Sequence, residues 1–202
     1  MTTRSLGHVT ARLTSLLAIA LIVAGCWVTR VEGGATDDLS TWSNVPLPAD
    51  PALDAMAMEP QSSCQGSPDA AAPMRIVIQD RRTQWTAAFL MTGPGQFGSC
   101  LLTSAGGMSG GSSGPALGPL TAELSIDDRS GGNIGEGEAQ QLGGRVVEIA
   151  ASVVVNLDGG PSVTASVRDG YWLAWWPAGA VAESVTALDG GGTEIVTIEV
   201  QP

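Results

Sequence analysis

Apolar and polar residues follow three rhythms along the chain. Residues 13–25, LTSLLAIALIVAG, are almost continuously apolar and follow a polar, positively charged start, MTTRSLGHVTAR. Residues 27–49 are polar, acidic and broken by proline, with no sustained period. From residue 73 onward apolar positions recur every second residue, the period of half-buried strands.

The middle of the chain opens with DPALDAMAM, which predicts a short helix. Asp50 suits the N-cap and Pro51 the first helical position, and Leu53 and Met56 share a face. MRIVIQD, QWTAAFLM and QFGSCLLT then predict three strands, joined by DRRT and GPG. Residues 104–119, SAGGMSGGSSGPALGP, read as a flexible glycine–serine loop. LTAELSID predicts a fourth strand, and DRSGGNIGEGEAQQLGG a second irregular stretch. RVVEIAASVVVNL, SVTASVR, YWLAWW, SVTAL and EIVTIEV follow as strands, several separated by Asp-Gly or Gly-Gly turns. About nine strands and one helix, without alternation, predict a mostly all-β fold, an antiparallel sandwich or open barrel.

YWLAWW is the densest aromatic stretch. On a strand, Tyr171, Leu173 and Trp175 point one way and Trp172, Ala174 and Trp176 the other. Apolar character on both faces predicts a strand buried from both sides, ended by Pro177. The alternative is a ligand platform. Trp172 and Trp176 would lie about 13 Å apart on one face, with small Ala174 between them.

The leader has the charged and apolar regions of a secretion signal. VAGC, residues 23–26, resembles a bacterial lipobox, which implies cleavage before Cys26 and diacylglyceryl transfer to its thiol. The alternative is an uncleaved signal-anchor helix over residues 13–29. Either leader places the rest of the chain outside the cytoplasm, anchored to the cell membrane. The expected organisation is a signal peptide over 1–25, a lipid-anchored acidic tether over 26–49 and a β-rich domain over 50–202. Division of that domain into 50–127 and 140–202 is left open.

Charge and composition then exclude whole chemistries. The net charge is −11, and all nine positive side chains are arginine. Loss of Arg4 and Arg12 with the leader leaves seven arginines against 20 acids, a net charge of −13. Such a surface repels phosphate backbones, so no nucleic-acid partner is expected. The single histidine, His8, lies in the leader. A mature chain without histidine or lysine has no Ser–His–Asp, Cys–His or Ser–Lys catalysis, no phosphate-loop lysine and no histidine-ligated zinc. Cys64 and Cys100 remain after Cys26 is lipidated, and two cysteines in an exported domain pair. That bond would contribute about 3–4 kcal/mol by the loop-entropy model.

DDRSGGNIGEGE, residues 127–138, matches a calcium loop at Asp127, Gly132, Ile134 and Glu138. Arg129 and Gly131 stand where two ligands belong, so no metal is expected there. No cofactor is expected elsewhere. The remaining acids are scattered, and many, Asp158, Asp169 and Asp189 among them, sit in turn positions.

GGRVVEIAASVVVNLDGGPSVTASVRDGYWLAWWPAG resembles an uncharacterised domain of secreted and membrane-anchored proteins from high-GC Gram-positive bacteria. The elements that carry the likeness are Asp169-Gly170, Tyr171-Trp172, Ala174-Trp175-Trp176-Pro177 and the strand from Val185 to Gly192. IVIQDRRTQWTAAFL with Cys100 is similar to the same proteins. The resemblance implies location and fold, and no activity. The expected function is non-enzymatic: binding, or an accessory role beside an envelope protein or polysaccharide. The alternatives are a carbohydrate-binding module using Trp172 and Trp176, and a carboxylate-based hydrolase.

Overall fold

The computed structural model describes residues 39–60, 62–65, 73–104 and 108–201. All belong to one compact unit, Gly34–Pro202. The leader and Cys26 lie outside the described residues.

One helix, α1 (Pro51–Met58), precedes the strands. As expected, Asp50 caps it: its carboxylate accepts from the Ala52 N–H at 2.9 Å, and Pro51 occupies the first turn. The first six strands are β1 (Arg75–Arg81), β2 (Thr86–Gly93), β3 (Gln96–Thr103), β4 (Met108–Pro115), β5 (Leu124–Ile134) and β6 (Gly137–Val146). The second six are β7 (Ser152–Leu157), β8 (Val163–Thr164), β9 (Ser166–Arg168), β10 (Tyr171–Pro177), β11 (Ala182–Leu188) and β12 (Glu194–Glu199). All pairings are antiparallel.

The strands form two sheets. Eight run in the order β1-β2-β3-β4-β5-β6-β10-β9 and curl into a nearly closed barrel. The other four run β12-β11-β7-β8 and pack on the barrel's outer face. The fold therefore combines the two expected architectures. Strands β1–β6 share a sheet with β9 and β10.

Three expectations change in detail. Residues 108–115 are not loop but strand β4, paired with β3 from Gln96↔Pro115 to Leu102↔Met108. Residues 128–144 are not irregular; they continue β5 and supply β6, joined by a two-residue turn at which Gly135 adopts φ 58°. The tether ends early. Trp42 Nε1 donates to the Trp175 carbonyl at 3.2 Å, the Ser43 N–H to the Arg82 carbonyl, and Leu47 bridges Arg81, so residues 39–49 are pinned to the domain.

Alternation along the strands sorts the apolar side chains into three cores. Inside the barrel lie Leu90, Phe97, Leu101, Ile134, Leu173 and Trp175. Between the barrel and the second sheet lie Leu142, Val153, Val155, Trp172, Trp176 and Val185. Outside β1–β3, Phe89, Met91 and Leu102 pack under Leu53 and Ala57 of α1. The expected disulfide seals that third core. Cys64 and Cys100 are bonded across a separation of 36 residues, with Cα atoms 5.4 Å apart.

A buried ion pair draws the barrel's ends together. Arg82 Nε lies 2.7 Å from Asp80 Oδ1, and Nη2 donates to Oδ2 at 2.8 Å. Nη2 also reaches the Thr164 carbonyl, Nη1 the Ser43 carbonyl, and the Ser166 N–H donates to Asp80. Burial pushes the Asp80 carboxyl up, and the Arg82 guanidinium opposes that shift. With its charges paired and bonded to the Ser43 and Thr164 carbonyls, this pair is a structural joint.

Candidate functional site

Strand β10 lies between β6 and β9, and its two faces enter different cores, as its pattern predicts. Trp172, Trp175 and Trp176 are 0%, 0% and 1% exposed. Each indole N–H is satisfied by a backbone carbonyl: Trp172 by Ser125, Trp175 by Asp80 and Trp176 by Ala180, at 2.9–3.0 Å. Gly144 is needed here. A Cβ on it would come within 3.0 Å of the Trp172 indole nitrogen, which crosses β6 to reach β5. Trp172 and Trp176 therefore form no exposed platform. The second sheet covers the face on which a sugar would have to stack.

That covering sheet leaves a groove at one margin. Beyond its edge, the outer face of the β5–β6 hairpin is open, and a groove of about 670 Å³ runs between the hairpin and the ends of β11 and β12. Leu142 and Trp176, both almost fully buried, lie beneath it. Val181, 56% exposed, and Val200 form one wall. Register places Arg129, Asn133, Glu138 and Gln140 around the opposite side: Arg129 pairs with Leu142 and Asn133 with Glu138. Small Gly131 stands opposite Gln140 and leaves the middle of that side open. Ligand sites have this size and character, a mostly apolar floor with a few convergent polar groups. Glu138 is the one carboxylate in the lining, so the two-carboxylate arrangement of glycoside hydrolysis is not assembled in this groove.

A second hollow of about 770 Å³ lies beside the Asp169–Gly170 turn. Both turn residues take positive φ, 51° and 77°, as a tight hairpin requires. Its arginines are already matched. Arg145 holds Asp127 through Nε at 2.8 Å, which pushes the Arg145 guanidinium up, and Arg168 lies 3.5 Å from Asp169. The groove is the better-equipped site.

None of the groove's polar residues was singled out as a binding residue from the sequence. They lie in the stretch read as irregular, and only the hairpin register gathers them. The rejected calcium loop falls in the same hairpin. Asp127 there faces Arg145, and Glu138 stands across the strand pair from Asn133. No family model matches the chain, and no curated protein or solved structure does.

Proposed function

We propose that the chain is an exported lipoprotein, anchored through Cys26, whose β-domain binds an uncharged, hydroxyl-rich envelope polysaccharide without transforming it. The groove between the β5–β6 hairpin and the second sheet carries this reading. Its amides and its single arginine and carboxylate present donors and acceptors of both kinds above an apolar floor, which suits hydroxyl groups and no net charge. The VAGC stretch and the acidic surface support an acyl anchor over electrostatic attachment to anionic lipid.

Binding to isolated wall polysaccharides is the test. Val181→Arg, which fills the groove, and Gln140→Ala should each weaken binding by about tenfold or more while leaving the melting temperature close to that of the wild type. Cys26→Ala should leave binding intact and shift the protein out of the membrane fraction. Undiminished binding by both groove variants refutes the site, and release of shortened glycan refutes the non-enzymatic role.

A further inference from the structure

Apart from the Asp80–Arg82 joint and Thr86 and Thr103 beside it, the polar side chains inside the barrel form one cluster. Ser99 of β3, Ser112 of β4, Asp128 and Ser130 of β5 and Gln141 of β6 all point inward. Asp128 reaches the interior because of a β-bulge. Ile126 pairs with Gly144 and Asp128 with Gly143, so the extra residue, Asp127, turns Ile126 outward and Asp128 inward. Asp128 is 3% exposed, and among the described residues no arginine pairs with it. A buried carboxylate without a counter-charge is costly.

The spacing of the cluster is that of ligands sharing an ion. The oxygens form a ring: Ser99 Oγ to Ser112 Oγ is 3.4 Å, Ser99 Oγ to Ser130 Oγ 3.3 Å and Ser130 Oγ to Asp128 Oδ2 3.4 Å. Contact between Ser112 Oγ and Asp128 Oδ1 closes it. Good O–H···O bonds are shorter, about 2.5–3.0 Å. Neighbouring ligand oxygens 3.3–3.4 Å apart, at right angles about a shared ion, lie about 2.4 Å from it, within the 2.3–2.6 Å of a hard cation held by oxygen. The Gln141 amide caps the ring. Its Nε2 donates to Ser99 Oγ at 2.5 Å and to Asp128 Oδ2 at 3.1 Å, where a cation would otherwise face both. Its Oε1 is buried without a partner, and Gln141 is 1% exposed. A half-turn of the amide presents that oxygen to the ring as a further ligand.

We propose that the barrel interior binds one sodium ion, held by both oxygens of Asp128, the hydroxyls of Ser99, Ser112 and Ser130, and Gln141 Oε1. The single carboxylate fits a monovalent ion, because calcium, of nearly equal size, would leave a buried positive charge. Potassium is too large for the ring. The way in is the β4–β5 seam, which is paired at Gly110↔Gly132 alone and where Ser112 and Ser130 remain half-buried. The bound ion ties β3, β4, β5 and β6 together where the backbone ladder is thinnest.

Thermal melting of the full chain in detergent tests this, in sodium, potassium, choline and calcium chlorides at equal ionic strength. Sodium should raise the melting temperature saturably, by about 3–6 °C over choline. Asp128→Asn should abolish that increment, and Ser130→Ala should raise the sodium concentration at half-effect several-fold. Ser130→Ala keeps the test decisive if Asp128→Asn fails to fold. Equal melting in sodium and choline overturns the site, as does an undiminished increment in either variant. Stabilisation by potassium equal to that by sodium, or by calcium alone, overturns the assignment of the ion.

Discussion

Strand β10 reads Tyr-Trp-Leu-Ala-Trp-Trp-Pro, whereas β4, in the same barrel, reads Met-Ser-Gly-Gly-Ser-Ser-Gly-Pro. The first fills two cores with side chains and pairs with β6 along its whole length. The second contributes almost no apolar surface. It pairs fully with β3 and at a single position with β5. Burial of large side chains anchors β10. Close backbone approach and hydroxyl contacts anchor β4. A Cβ on Gly110 would collide with the Gly131 carbonyl, and one on Gly111 would stand 2.5 Å from the Ser99 carbonyl. A strand can thus be specified by the side chains it carries or by those it lacks, and the two kinds fail differently.

The largest expected effect is at β10. Trp175→Ala should cost about 3–5 kcal/mol, from lost burial and the cavity left in the barrel. Chemical denaturation measures it, and a wild-type midpoint would show that β10 is not the anchor. At β4, Gly110→Ala removes nothing and adds one methyl group, yet it should cost about 1–3 kcal/mol, because the opposing atoms are backbone and cannot rotate away. The same denaturation series checks it. An unchanged midpoint there would mean that β4 has room, and the contrast with β10 would lose its physical basis. The smallest effect belongs to Ser113→Val. Ser113 lies on the exposed side of β4, next to inward-facing Ser112, so the change should stay within about 0.5 kcal/mol. A larger loss would mean that the outer side of β4 is also constrained.

These two strands also divide what was legible in the sequence. Tyr171 to Pro177 announces itself, since apolar residues at every position point to a strand covered on both faces. The three-strand start and the α1 cap at Asp50 were legible for the same local reasons, and the Cys64–Cys100 bond followed from the expectation of export and the count of thiols beyond Cys26. Residues 108–115 were not legible. Glycine and serine carry no period, and their strand state comes from the neighbour β3. The groove was hidden with them, because Arg129, Asn133, Glu138 and Gln140 acquire a common side only through the β5–β6 register.

What the sequence by itself determined is the β-rich class and the faces of its apolar strands. These follow from residue type and short-range spacing. Tertiary structure alone decided that Trp172 and Trp176 are covered, that residues 39–49 belong to the domain and that Asp128 looks inward. Each of those depends on what lies opposite. For Asp128 the cause is a single extra residue: strand side chains alternate with a period of two, so the bulge at Asp127 moves the carboxylate from the outer face to the interior while leaving the local pattern of residues unchanged.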